Sequence, residues 1–148
     1  MAKEYKLFTI GYEGRDIDEF IDRLNRFRVS RLIDVREIPL SRKKGFSKSR
    51  LSERLANEGI DYVHVKELGS PGKIRNKLKQ DWNYEYFFKK FSEYLDTNKE
   101  LIDRAYDFLS EKTNCLMCFE RLPEKCHRTV VAQRIKIRDG NGLIIQHI

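Results

Sequence analysis

Short apolar segments alternate with amphipathic segments along the whole sequence, and this alternation constrains the fold more than any other feature. The run LFTI at residues 7–10 stops at Gly11, as expected for a strand covered on both faces. Asp16, with Glu19 three residues later, forms a capping box for a helix whose apolar residues recur every three or four positions. Strand patterns followed by helix patterns predict stacked βα units.

The same pattern continues to the end of the chain. Further strands are predicted at residues 32–35, 60–65, 114–119 and 143–148, and further helices at 47–58, around 74–78, at 84–95, from 97, and from 126 or 127. The length of 148 residues fits one domain. Because parallel crossovers are right-handed, we predict a single α/β domain with a mainly parallel five-stranded sheet and helices on both faces. The direction of the last strand is left open.

The charge balance is basic. Lys and Arg total 30 against 23 Asp and Glu, which gives a net charge of +7. Such a field attracts polyanions, so nucleic acid or a nucleotide is a candidate partner. A surface rich in salt bridges on a heat-tolerant protein explains the same composition, and both interpretations remain open.

Several classes of protein are disfavoured. No apolar run approaches the roughly 20 residues of a membrane-spanning helix, and the N-terminus lacks the apolar core of a secretion signal, so we expect a cytoplasmic protein with no membrane association. Three cysteines are too few for a disulfide scaffold. No cofactor is predicted, and the oligomeric state is left open.

Open parallel sheets bind their ligands beyond the carboxyl ends of the strands, and this rule selects the loops that follow each predicted strand. The first loop begins with Gly11 and Tyr12. The second strand and its loop contribute Asp34, Arg36, Ser41 and Arg42, and the fourth is followed by Glu120, Cys126, His127 and Arg128. We expect these side chains to surround one hollow.

Each candidate has a functional and a structural interpretation. Asp34 is either a catalytic base or the buried partner of an arginine, because an unpaired buried carboxylate costs several kcal/mol. Cys126, at the start of the last helix, is either a reactive thiolate or an ordinary buried cysteine. His127 is the best candidate for a general acid or base, because imidazole titrates near neutral pH.

The spacing of Cys115, Cys118, Cys126 and His127 superficially resembles a zinc site with four ligands. Residues three apart in a strand point to opposite faces of a sheet, so Cys115 and Cys118 are not expected to reach one ion. No metal ligand is therefore assigned.

Basic residues are concentrated in two segments, at 36–50 and 73–79, beside Phe46 and Trp82. Phosphate contacts and base stacking are both available there. A solvated run of charges is the alternative.

Several separated motifs resemble the domain-of-unknown-function family numbered 488. They are TIGY at 9–12, LIDVR at 32–36, LG at 68–69, CFE at 118–120, CHR at 126–128 and QHI at 146–148, with Pro39, Ser41, Arg42 and Pro123 between them. The family has no established function, so the resemblance implies a site and no reaction. Its motif positions map to Gly11, Asp34, Arg36, Pro39, Ser41, Arg42, Glu120, Pro123, Cys126, His127 and Arg128. Tyr12 stands where the family often has His, and Ser70 replaces the second Gly of a common Leu-Gly-Gly.

The leading hypothesis is an enzyme that acts on a phosphate-bearing substrate, such as nucleic acid or a nucleotide, by hydrolytic or glycosidic cleavage. Asp34, Glu120, Cys126 and His127 are its catalytic candidates, and Gly11, Tyr12, Arg36, Ser41, Arg42 and Arg128 its substrate-binding candidates. A nucleic-acid-binding module without catalysis is the alternative. An oligomeric scaffold is a third, if the aromatic stripe at 84–95 is exposed.

Overall fold

The computed structural model describes residues 5–148; residues 1–4, part of the segment considered above for a secretion signal, lie outside the described residues. The elements are β1 Lys6–Gly11, α1 Ile17–Arg26, β2 Arg31–Asp34, α2 Lys48–Asn57, β3 Asp61–His64, α3 Gly72–Asp81, α4 Tyr84–Asp96, α5 Lys99–Asp107, β4 Asn114–Cys118, α6 His127–Arg138 and β5 Ile144–His147. The basic piece predicted at 74–78 is part of a complete helix.

The five strands form one sheet in the order β3-β2-β4-β1-β5, and every neighbouring pair is parallel. The fold class predicted from the sequence is confirmed, and the last strand runs parallel to β1. In the register of the sheet, Gly11 lies opposite Cys118 and Asp34 opposite Met117. The carboxyl ends of β1, β2 and β4 therefore meet at the same edge.

Helices cover both faces of the sheet because alternate strand residues point to opposite sides. On one face α1 and α2 pack through Phe20, Ile21, Leu24, Leu51 and Leu55. On the other face α4, α5 and α6 contribute Phe91, Leu95, Leu101, Ala105, Val131 and Ile135. Cys115 belongs to the first core and Cys118 to the second, as the strand geometry predicted.

Two predicted helix starts have different outcomes. Asp16 caps α1, because its Oδ1 accepts a hydrogen bond from the Glu19 amide at 2.8 Å. The helix predicted from residue 97 begins two residues later, at Lys99: Asn98 precedes α5 without a side-chain capping bond, and the Thr97 hydroxyl donates to the carbonyl of Tyr94 at 2.9 Å.

The aromatic stripe of α4 lies partly in the core. Phe87, Phe91 and Leu95 are buried, and the Phe91 ring is fully covered. Tyr86 is 39% exposed and Tyr84, Phe88 and Tyr94 are half-buried, so the core takes only part of the stripe and the scaffold hypothesis stays a prediction. No helix in the range 5–148 has the length and apolar character needed to cross a membrane.

Candidate active site

A cavity of about 470 Å³ opens at the carboxyl edge of β1, β2 and β4. Its volume falls in the range of small-molecule sites. Its walls combine apolar, cationic and titratable side chains, namely Tyr12, Arg36, Glu37, Ile38, Leu40, Ser70, Arg75, Leu78, Lys79, Phe87, Cys118, Phe119, Glu120, Lys125 and His127. Four residues proposed from the sequence, Tyr12, Arg36, Glu120 and His127, are among them.

Asp34 and Arg36 form a buried, bidentate ion pair below the cavity. Arg36 donates through Nε to Oδ1 of Asp34 at 2.9 Å and through Nη2 to Oδ2 at 2.7 Å. The Arg36 amide and the Tyr62 hydroxyl donate to the same carboxylate at 3.1 and 2.5 Å. Asp34 is 0% exposed and both of its oxygens accept hydrogen bonds from the protein, which fits the buried partner of an arginine better than a catalytic base.

The guanidinium of Arg36 is likewise hydrogen-bonded mainly to other groups of the protein. Its Nη1 donates to the carbonyl of Phe46 at 2.7 Å and to the Tyr12 hydroxyl at 3.3 Å. These bonds tie the loop after β2 to the strand end. Arg36 forms part of the cavity wall, but its donors point mainly to the protein.

Gly11 is a packing position. A Cβ at residue 11 would lie 1.8 Å from the carbonyl oxygen of Glu120, which is far inside contact distance. Backbone bonds hold the two segments together, because the amides of Tyr12 and Glu13 donate to the carbonyls of Cys118 and Phe119 at 3.2 and 2.8 Å. Glycine at position 11 therefore lets the loop that carries Glu120 pass over the end of β1.

Gly11→Ala is expected to lower the free energy of unfolding by about 1–3 kcal/mol, because the added methyl group must displace the backbone of Glu120 and Arg121. Urea unfolding monitored by circular dichroism measures the change. Gly72→Ala is the matched control, since its Cβ would meet only ordinary contacts at 3.5 Å, and its effect should stay within about 0.5 kcal/mol. Equal losses in the two variants would contradict the packing role of Gly11.

Ser41, Arg42 and Arg128 do not line the cavity. The Ser41 hydroxyl accepts from the Lys43 amide at 3.1 Å and stabilises the loop, and Arg42 is exposed. Arg128 is 1% exposed and donates to the carbonyls of Glu120 and Arg121. The guanidinium of Arg128 thus holds the loop after β4 from inside, which explains its burial better than phosphate binding does.

Glu120 is half-buried in the cavity wall. Its Oε2 accepts a hydrogen bond from the Cys118 thiol at 3.4 Å, and no salt bridge to Glu120 occurs within residues 5–148. Burial raises the pKa of Glu120 to about 7, and the negative charge on Cys126 adds to this rise. The carboxyl group is therefore available to a ligand in the cavity.

Cys118, Cys126 and His127 form a buried cluster behind Glu120. Cys118 Sγ lies 3.6 Å from His127 Nδ1, and Cys126 Sγ lies 4.0 Å from the same nitrogen. His127 Nε2 donates to the carbonyl of Val35 at 2.6 Å, which leaves the free lone pair on Nδ1. Cys118 Sγ also lies 3.9 Å from Nε2. Cys126 is the N-cap of α6, and its sulfur accepts from the Arg128 amide at 3.5 Å.

Charge in this cluster is divided between Cys126 and His127. Burial opposes ionisation of Cys126, but the hydrogen bond with Cys118 and the charge of His127 outweigh it and lower the pKa of this thiol. The bond to Cys126, with burial, raises the pKa of Cys118. Burial also opposes protonation of His127, yet the charge of Cys126 raises the pKa of this imidazole. These shifts act in the direction of a thiolate at Cys126, which stays a prediction.

Sequence reasoning missed three features of this site. The exposed wall residues Ile38, Leu40 and Phe119 carried no chemical motif, although an exposed Phe directly after a buried strand is a usable signal. Lys125 was overlooked because no basic run surrounds it. Cys118 was set aside with Cys115, although the trio of Cys118, Cys126 and His127 needs no residue from the other face.

The fold and the site define an α/β protein with one open cavity at the carboxyl edge of a parallel sheet. The chain belongs to the family described as domain of unknown function DUF488, whose family model matches residues 16–135. No curated protein and no solved structure is significantly similar to the chain.

Proposed function

We propose that the protein is an enzyme that hydrolyses the glycosidic bond of a nucleotide or of a nucleotide unit in nucleic acid, with Glu120 as the group that activates water. One observation carries the proposal. A half-buried carboxylate with no salt-bridge partner among residues 5–148 lines a cavity whose rim has both exposed lysines and an exposed aromatic ring.

The rim suits a ligand with a planar apolar end and an anionic end. Phe119 is 44% exposed and packs edge-on against Tyr12, with ring centroids 5.3 Å apart. Bases stack on such rings regardless of their identity. Lys79 and Lys125 are exposed, line the cavity and form no salt bridge among the described residues, so their ammonium groups are available to phosphate.

The charge of Glu120 favours glycosidic over phosphoryl chemistry. A reacting phosphoryl group gathers negative charge and is stabilised by cations, and an unpaired carboxylate would repel it. Cleavage at a sugar carbon passes through a transition state with positive, oxocarbenium-like charge, which a carboxylate stabilises. The negative charge of Glu120 therefore suits cleavage at the anomeric carbon of a sugar.

In the proposed reaction the bond from the anomeric carbon to the base breaks, and its electron pair leaves with the base. The water oxygen bonds to the anomeric carbon, Glu120 accepts the water proton, and that proton passes to the departing base. The products are a free base and either a sugar phosphate, from a mononucleotide, or an abasic site, from nucleic acid; water is the only co-reactant.

The direct test is product formation. Purified protein is incubated with each mononucleotide, single-stranded and double-stranded DNA, and RNA, and free base is measured by chromatography. Release of one base above the rate of the Glu120→Gln variant supports the proposal. Binding without any altered product would instead support the nucleic-acid-binding module, which the net charge of +7 also favours.

Lys79→Ala and Lys125→Ala are each expected to raise KM by about two- to fivefold and leave kcat unchanged, because exposed ion pairs contribute little. Steady-state kinetics at low and high salt measure the effect, which should shrink as salt screens the charge. Lys99→Ala, on α5 and outside the cavity, is the control. A KM that rises equally in the control would remove the two lysines from substrate binding.

A further inference from the structure

We propose that Cys118, Cys126 and His127 bind a single Zn²⁺ ion whose fourth coordination position faces the cavity. This site goes beyond the proposed hydrolysis. The two sulfurs and the imidazole nitrogen all lie within 4.8 Å of one another, and all three side chains are buried.

The two nitrogen–sulfur distances in the trio are close to those of tetrahedral zinc. With Zn–S near 2.3 Å and Zn–N near 2.0–2.1 Å, ligand atoms of a tetrahedron stand about 3.6–3.8 Å apart. The distances from His127 Nδ1 to the sulfurs of Cys118 and Cys126 are 3.6 and 4.0 Å. Cys118 Sγ also lies 3.9 Å from His127 Nε2, so it sits beside the ring and not on the line of the Nδ1 lone pair. An ion on that lone pair therefore requires the Cys118 thiol to rotate toward Nδ1.

The imidazole is oriented as a zinc ligand. The bond of His127 Nε2 to the Val35 carbonyl at 2.6 Å places the proton on Nε2 and leaves the Nδ1 lone pair for the ion. The ring also packs edge-on against Phe91, with centroids 5.3 Å apart. A carbonyl partner and a packed ring together hold the nitrogen in place.

The surroundings suit thiolate ligands. Cys126 caps α6, where the helix dipole and the Arg128 amide at 3.5 Å stabilise negative charge on sulfur. Two thiolates neutralise a divalent ion, which removes the cost of a buried net charge. Zinc is the divalent ion that such a cysteine and histidine set selects over magnesium or calcium.

The residues that line the cavity indicate where the fourth coordination position of the ion lies. Cys118 and His127 line the cavity and Cys126 lies behind them. Three protein ligands with a fourth position open to a cavity are the arrangement of catalytic zinc sites. A zinc site open to the cavity would bind water or a substrate atom beside Glu120.

The metal titration needs no substrate. The protein, purified under reducing conditions and stripped with chelator, is titrated with Zn²⁺ and with Co²⁺, whose visible absorption reports tetrahedral thiolate coordination. We expect one equivalent to bind. Cys118→Ser and Cys126→Ser should each weaken binding more than about 100-fold, because even second-shell changes cost 10- to 100-fold. No binding by the wild-type chain would overturn the proposal.

Cys115→Ser is the matched control, since Cys115 is equally buried, lies in the same strand and faces the other core. It should bind metal as the wild type does, and an equal loss in this variant would overturn the site. If the ligand variants do not fold, alkylation of the wild-type chain decides. Zn²⁺, but not Mg²⁺, should slow alkylation of Cys118 and Cys126 at least tenfold, and unchanged rates would contradict the proposal.

The zinc-site proposal and the hydrolase proposal can be disproved independently of each other. Metal stoichiometry is measured without substrate, and base release is measured both with Zn²⁺ and with chelator. Base release by a protein that binds no zinc would overturn the metal site alone.

Discussion

Glu120→Gln is expected to lower kcat for base release by about 10²- to 10⁴-fold, the usual contribution of a general acid or base. Glutamine keeps the size of the side chain but cannot accept a proton from water. The backbone carbonyl of Glu120, which accepts from Arg128, is unchanged by the substitution. Folding should therefore be preserved, and steady-state kinetics with a substrate found in the product survey measure the loss.

Glu124→Gln is the control for this prediction. Glu124 is an exposed carboxylate in the same loop and does not line the cavity. Its removal changes the net charge as Glu120→Gln does and should leave kcat within about twofold, as expected for a surface substitution. Thermal melts of both variants exclude unfolding as the cause. A Glu120→Gln enzyme with wild-type kcat would remove Glu120 from the mechanism.

The central strands β1, β2 and β4 were predictable because they are covered on both faces, whereas the edge strands β3 and β5 are only partly buried. Leu32, Ile33 and Val35 are all buried, so this strand is marked by a continuous apolar run. The termini of helices were less predictable, because capping depends on local backbone geometry: Asp16 accepts the expected amide, whereas Thr97 turns back to Tyr94. Hydrophobic patterns therefore predicted which strands and helices form better than they predicted the residues at which each one begins and ends.

The candidate site was predictable by position and less so by role. The rule that loops meet at the carboxyl edge of a parallel sheet predicted one hollow, and Tyr12, Arg36, Glu120 and His127 do line one cavity. The sequence allowed Asp34 to pair with an arginine without identifying Arg36 as that arginine, and it gave no partner for Arg128. Arg128 donates to two backbone carbonyls, and a carbonyl leaves no signature in the residue types.

Arg36→Leu is expected to lower the free energy of unfolding by about 3–5 kcal/mol, because it leaves the carboxylate of Asp34 buried without its cation. The carboxylate is 0% exposed and keeps only the hydrogen bonds from the Tyr62 hydroxyl and the residue 36 amide. The carbonyl of Phe46 also loses its donor. Urea unfolding at neutral pH measures the change, and Arg42→Leu, an exposed arginine of the same loop, should stay within about 0.5 kcal/mol.

The double variant Asp34→Leu with Arg36→Leu separates the two causes of this loss. If the uncompensated charge dominates, removing the carboxylate as well should recover part of the stability, since apolar replacements of buried ion pairs are often nearly neutral. If the lost bonds to Phe46 and Tyr12 dominate, the double variant should be no more stable than Arg36→Leu. We expect recovery, because a buried charge without a partner costs more than a lost neutral hydrogen bond. An Arg36→Leu protein as stable as Arg42→Leu would show that the ion pair does not stabilise this edge of the sheet.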